Sequence, residues 1–203
     1  MGRMGRILLL RHGQSTWNAE RRWQGWADPP LSEHGREQAR GAAAALTGKG
    51  LEVVASSDLA RARETADIIA AAIGAAEVIV EEGLRERNVG EWSGLTDVEI
   101  HARWPGMLDA WRAGELAVLP GGEGDINVRV VAGLDRLWDL SAGRAVVAVT
   151  HGGVIRGLER HLGIAPQSVG NVGGRWIEGG PGAWRAGDPV VLAATGSAPT
   201  TIL

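Results

Sequence analysis

Cysteine is absent from all 203 residues. Disulfides and thiolate metal sites are thereby excluded, and a cytoplasmic protein is expected. Phenylalanine and tyrosine are absent too, so nine tryptophans must supply all the aromatic packing. Lysine occurs once, at Lys49, and every other basic side chain counted is an arginine. With 21 basic and 24 acidic residues the net charge is -3, which points to neither a nucleic-acid nor a membrane partner. No apolar run reaches the ~18 residues of a spanning helix. Residues 1–6 are basic but lead into only a short apolar run, unlike a signal peptide. The sequence also lacks a G-x-S-x-G turn, a G-x-x-x-x-G-K-[ST] loop and a strand-following G-x-G-x-x-G. Serine hydrolases, nucleoside triphosphatases and dinucleotide enzymes are therefore poor readings.

What is present alternates between strands and helices. Residues 6–10, 53–55, 78–80 and 145–150 read as short apolar strands. Ser32 is expected to cap a helix to about Leu46, and Asp58 one to Ile73, with Gly74 after it. Asp125 is expected to cap a third, with Ile126, Val130, Leu134 and Leu137 in phase, and Val154, Ile155, Leu158 and Leu162 mark a fourth. The tail from Asn171 holds one or two further strands among glycines. This order predicts one domain over residues 1–203, a three-layer α/β/α sandwich around a mostly parallel sheet. An irregular excursion near 86–124 is expected to act as a partial lid.

In such sheets the ligand crevice lies at the carboxyl ends of the strands. Arg11, His12 and Gly13 follow the first strand. Ser56, Ser57 and Asp58 follow the second, with Arg61 in the next helical turn. Glu82, Arg85, Glu86 and Arg87 follow the third, and His151, Gly152 and Gly153 follow the strand ending at Thr150. Parallel strands would bring these together. Arginines bind phosphate or carboxylate oxygens in planar pairs. Glycines and a helix start near Gly153 would offer backbone N–H groups to the same anion. A bound dianion, phosphate above all, therefore answers why the charged pair Arg11–His12 ends a buried strand. A neutral imidazole beside it can attack phosphorus, and a carboxyl group can protonate the leaving oxygen. A metal held by His12 and His151 fits poorly, because Arg11 would repel the cation and no His-x-x-x-His pattern is present. No metal and no cofactor are expected.

These residues carry a resemblance. "LLLRHGQSTWN" (8–18) resembles the signature of the histidine phosphatase superfamily, the phosphoglycerate mutase-like proteins. Four further stretches resemble that family's later segments in its order. They are "RWQGWADPPLSEHGREQA" (22–39), "SSDLARARETA" (56–66), "LRERNVGEWSGLT" (84–96) and "VTHGGVIR" (149–156). The resemblance implies metal-independent phosphoryl transfer through phosphohistidine. It makes His12 the nucleophile and Glu86 the proton donor, with Arg11, Arg61 and His151 forming the phosphate pocket. Asn18, Gln24, Gly25 and the Gly152 backbone would lie near phosphate or substrate. Arg63 competes with Arg61 for its place, and Glu82 and Glu91 compete with Glu86.

Mutase relatives carry a longer insertion after the acid, with a tyrosine and further basic residues. Here the stretch is short and the chain has no tyrosine, which resembles the phosphatase branch. Within that branch the segment 84–100, "PGGEG" and the length resemble glucosyl-3-phosphoglycerate phosphatases. Gly124 departs from the branch, where serine is usual, and costs a helix cap that Asp125 could replace. The expected partner is a small phosphomonoester of an acid or sugar. A mutase and a non-catalytic phosphate-binding module are the alternatives. A homodimer is expected if an edge strand exposes apolar surface. Tryptophans are expected mainly in the core, with Trp23 and Trp26 bordering the motif.

Overall fold

The structure, a computed structural model, describes residues 5–192. β1 (Gly5–Arg11) leads through a short helix α1 (Thr16–Ala19) to α2 (Glu33–Leu46). β2 (Val53–Ser56), α3 (Ala60–Ile73) and β3 (Val78–Val80) follow. After two short 3-10 turns come α4 (Asp97–Arg103) and α5 (Met107–Ala113). The chain then returns through α6 (Asn127–Ser141), β4 (Val146–Thr150) and α7 (Gly152–His161) to β5 (Gly173–Gly179) and β6 (Arg185–Val191).

The six strands form one sheet in the order β3-β2-β4-β1-β5-β6. β1, β2, β3 and β4 are mutually parallel, and β5 and β6 are antiparallel additions at one edge. The fold is thus the expected α/β sandwich with a mostly parallel sheet. Alternation along the strands builds its two faces. Ile7 and Leu9 of β1 join Val146 and Ala148 of β4 against Val130, Leu134 and Leu137 of α6 and Val154, Ile155 and Leu158 of α7. Leu8, Leu10, Val147 and Val149 face the other way, onto Ala43 and Leu46 of α2 and Ala62, Ala66 and Ile69 of α3. β1 and β4 are buried on both faces, which is why they read as continuous apolar runs.

The helix starts follow the sequence in one case and depart from it in two. Ser32 accepts from the Gly35 N–H and caps α2 as expected. Asp125 is not the N-cap of α6: Ile126 holds that position and makes no side-chain cap, although Asp125 Oδ1, one residue earlier, accepts from the Asn127 N–H at 2.9 Å. Asp58 does not cap α3: Leu59 holds that position and makes no side-chain cap. The Asp58 carboxylate is drawn instead into a two-point ion pair with Arg85, one contact being 2.9 Å, which lowers its pKa. The vacated helix N–H, at Ala60, is taken by Asp28 Oδ1 at 2.8 Å. A charged, forked partner outcompetes the single cap hydrogen bond.

The excursion after Glu86 has a core of its own. Val89, Trp92, Ile100, Leu108 and Leu119 are buried together, with Trp23, Trp104, Met107 and Trp111 packed around them. Trp92 meets Trp23 edge to face at 5.2 Å, a favoured geometry for indoles.

Candidate active site

The sheet topology decides what meets at the carboxyl edge. β1 and β4 are adjacent and parallel, in register from Ile7↔Val146 to Arg11↔Thr150. His12 and His151 therefore leave neighbouring strands at the same level. The His12 N–H donates to the Thr150 carbonyl at 3.0 Å, continuing the ladder one step. The two rings stand 5.1 Å apart at 61°. β2 lies on the other side of β4 and delivers Ser57, whose Oγ sits 2.7 Å from His151 Nε2. Arg61 follows in the first turn of α3.

The tautomer of His12 is fixed by its surroundings. Nδ1 lies 2.6 Å from the Gly13 carbonyl, which can only accept, so Nδ1 carries the proton. Nε2 then presents a lone pair and accepts from Arg61 Nε at 3.3 Å. Burial, and then the charges of Arg61 and Arg11, hold the His12 pKa well below 6.5. His151 is held down by burial and by Arg61, His12 and Arg11. Both imidazoles are therefore neutral near pH 7.

The arginines are anchored chiefly through backbone carbonyls, with one long ion pair from Arg61 Nη1 to Asp28 Oδ1 at 3.9 Å. Arg11 Nη1 donates to Val169 O at 2.7 Å, while its buried Nε has no partner. Arg61 donates to Ala27 O at 2.7 Å and Gly25 O at 2.9 Å. Gly25 holds φ 51°, and a Cβ there would lie 2.7 Å from the Val89 side chain, so glycine is required at this turn. Desolvation, foremost, lowers both arginine pKa values to about 10. His151 Nδ1 is also buried without a partner.

Glu86 approaches from the excursion side. Its Oε1 accepts from the Arg87 N–H at 2.8 Å, and its Oε2 from the Gly153 N–H at 3.1 Å, at the start of α7. A Cβ on Gly153 would fall 2.2 Å from Glu86 Oε1, so residue 153 must be glycine for the carboxylate to sit there. The competing residues lie elsewhere. Glu82 is largely exposed beside Arg85, and Glu91 is exposed. Arg61 is nearly fully buried, whereas Arg63 is not.

Arg11, His12, Asn18, Gln24, Gly25, Arg61, Glu86 and Gly152 all line one cleft of about 860 Å³. Asn18 completes the capping box of α1 with Ser15, and Gln24 Oε1 accepts from Ser15 Oγ at 2.7 Å. His151 is fully buried and does not itself line the cleft, and His34, His101 and His161 lie outside it as well. No cluster of three or more metal-ligating side chains occurs among the described residues.

Sequence reasoning missed the residues that hold this arrangement from afar. Arg129 on α6 donates to the carbonyls of Gly83, Arg85 and Glu86 and to both oxygens of Glu123. It fixes the backbone that carries Glu86. Asn171 Nδ2 donates to the His12 carbonyl at 2.9 Å, and the Val172 N–H to Arg11 O at 3.0 Å. Neither contact has a local sequence signal, because each joins residues more than 40 apart. Trp111 on α5 was also unassigned, and it lines the cleft together with Trp23.

Fold and cleft together define a class: an α/β enzyme with arginines and histidines gathered at the carboxyl ends of parallel strands. The sequence profile of the histidine phosphatase superfamily (branch 1) matches residues 7–173, and the chain belongs to that superfamily. It is 41% identical over 157 residues to phosphoglycerate mutase-like protein 4 of Arabidopsis thaliana, covering 75% of this chain and 68% of that one. It is 38% identical over 169 residues to the glucosyl-3-phosphoglycerate phosphatase of Mycolicibacterium vanbaalenii, covering 79% of this chain and 75% of the relative. Among solved structures it resembles a mycobacterial glucosyl-3-phosphoglycerate phosphatase in complex with VO3. The TM-score there is 0.76 at 35% identity, covering 90% of this chain and 97% of the other.

Proposed function

We propose that the protein hydrolyses a phosphomonoester of a small acid or sugar through a phosphohistidine at His12. The observation that carries this reading is the tautomer of His12. Its Nδ1 proton is committed to Gly13 O, so the Nε2 lone pair faces the arginine-lined cleft. In the first step Nε2 attacks phosphorus and the bond to the ester oxygen breaks. Protonated Glu86 gives its proton to that oxygen as it leaves. Arg11, Arg61, His151 and the backbone near Gly152 surround the three remaining oxygens and stabilise their charge. Water then attacks the phosphohistidine while the Glu86 carboxylate takes its proton. Inorganic phosphate departs and His12 regains its lone pair. Asn18, Gln24 and Gly25 contact the substrate beside the phosphate, and the excursion 86–124 covers it.

Hydrolysis rather than mutase transfer is favoured by the short stretch after Glu86 and by the absence of tyrosine. The kinship with glucosyl-3-phosphoglycerate phosphatases makes that ester a first substrate to try. The test is phosphate release from a panel of phosphomonoesters with chelator present and His12→Ala as control. Release that survives the chelator and disappears in the variant supports the reading. Turnover that needs a bisphosphate primer and frees little phosphate supports the mutase instead. Tight binding without turnover supports a phosphate-binding module.

A further inference from the structure

Trp26 belongs to none of the three hydrophobic clusters and does not line the cleft. It is 43% exposed. Core packing therefore does not account for a large aromatic side chain at this turn, and neither does stacking on a substrate in the cleft. Its polar contacts do. Nε1 donates to the Glu86 carbonyl at 2.8 Å, joining residues 60 apart in the chain. The Arg85 guanidinium lies over its ring, 4.9 Å from the centroid, where the face of an indole attracts a cation. One side chain thus grips two successive residues, Arg85 through its face and Glu86 through its N–H. A phenyl ring offers the face without the donor, and an aliphatic side chain offers neither.

The backbone on either side of Trp26 grips the floor. The Gly25 and Ala27 carbonyls both accept from Arg61. Asp28 Oδ1 accepts from the N–H of Ala60, the residue before Arg61. Four consecutive residues, 25–28, therefore tie the floor arginine to the backbone of Glu86. Arg129 donates to the same Glu86 carbonyl from α6 at 3.0 Å. A carbonyl oxygen has two lone pairs, and each of them here has its donor. The Glu86 peptide cannot turn without breaking one of these bonds, and any turn would carry the carboxylate away from the Arg87 and Gly153 N–H groups.

We propose that Trp26 is a positioning residue for the Glu86 acid, fixing the place of the carboxyl group relative to Arg61 by holding the Glu86 carbonyl. The proposal rests on the hydrolase reading above. Trp26 touches no substrate. It acts on the step that needs the acid and leaves the phosphate floor as it is.

Two variants separate its two contacts: Trp26→Phe keeps a ring for Arg85 and loses the donor, and Trp26→Leu loses both. Trp26 lies outside the hydrophobic clusters, so both variants should fold. Each is assayed on phenyl phosphate, a poor leaving group, and on p-nitrophenyl phosphate, a good one. kcat/KM reports the transfer to His12, in which the leaving oxygen takes its proton. For phenyl phosphate it is expected to fall about three- to tenfold in Trp26→Phe and further in Trp26→Leu, whereas p-nitrophenyl phosphate loses less than about twofold. Equal losses for the two esters, as a merely structural residue would give, overturn the proposal while hydrolysis still stands, and so does no loss for either. If the parent protein hydrolyses neither ester nor any other phosphomonoester, the hydrolase reading fails. Amide exchange then decides whether Trp26 places Glu86, because it needs no turnover. The Arg87 and Gly153 amides, which bond the two Glu86 oxygens, are expected to exchange about threefold faster or more in Trp26→Leu, with the His12 amide unchanged. Unchanged exchange at both, or the same acceleration at His12, overturns the proposal.

Discussion

At the floor of the cleft, Arg11, His12 and His151 hang from strand ends and Arg61 from the first turn of the following helix. None of the four is more than 5% exposed. Arg11 and Arg61 are held by the carbonyls of Val169, Ala27 and Gly25, His12 by that of Gly13, and His151 by Ser57 Oγ. At the outer wall, Trp111, Leu116 and Arg112 come from a segment with a separate tryptophan-rich core. Arg160 there reaches into solvent. The floor is set by parallel pairing, which fixes position to within a register step. The wall is set by how one small cluster of side chains packs, which can change without disturbing the sheet. The proposed phosphate chemistry could thus be held constant while substrate choice varies.

Glu86 is where the two regions meet, and breaking that junction should have the largest effect. Glu86→Gln is expected to lower kcat by about 10²–10⁴-fold, the usual contribution of a positioned general acid. The loss should shrink for an ester with a good leaving group, which needs no protonation. Equal loss for poor and good leaving groups would remove Glu86 from the acid role. Gly153→Ala tests the same junction from the floor side. Its Cβ would intrude on Glu86 Oε1, so kcat is expected to fall by tens of fold or more while KM for phosphate esters changes little. Steady-state kinetics checks both numbers.

Arg129→Met sharpens the comparison by loosening the backbone beneath Glu86 without touching the floor. Removing its charge-assisted bonds to Glu123 and three carbonyls is expected to cost on the order of 2 kcal/mol in urea unfolding. Activity should fall with it, while inorganic phosphate still binds.

The smallest effect is a pH slope. His12 and His151 have folded pKa values below the reference 6.5, so the unfolded chain takes up protons first as pH falls. Their contribution to stability is fully present above pH 6.5. It is lost below that, at up to about 1.4 kcal/mol per pH unit for each histidine. Urea melts between pH 7.5 and 5.5 in phosphate-free buffer should show this slope, and His12→Gln with His151→Gln should flatten it. An unchanged slope would mean that the histidines are charged in the folded protein.

The contrast between floor and wall also explains what the sequence revealed. The strands were legible because β1 and β4 are buried on both faces and end abruptly in charge. The floor residues were legible because Arg11 ends its strand, His12 and His151 follow theirs directly, and Arg61 opens the helix after β2. Asp58 misled because a helix cap is a local inference, and Arg85, 27 residues away, made a stronger claim on the carboxylate. Arg129 and Asn171 were invisible for a related reason. Their hydrogen bonds to the backbone around Glu86 and His12 depend on how α6 and β5 pack, which no short pattern encodes. Trp111 stood in an irregular stretch whose folding rests on tryptophan contacts instead of periodicity.

The most direct test of the central claim is chemical trapping of the intermediate. The enzyme would be mixed with a ³²P-labelled phosphomonoester that it turns over, quenched in base within milliseconds, and the labelled residue mapped. The account expects an acid-labile, base-stable phosphoryl group on His12 that forms faster than steady-state turnover and is absent from His12→Ala. A fully active enzyme that never carries label, or one labelled elsewhere while His12→Ala still hydrolyses the ester, would contradict it.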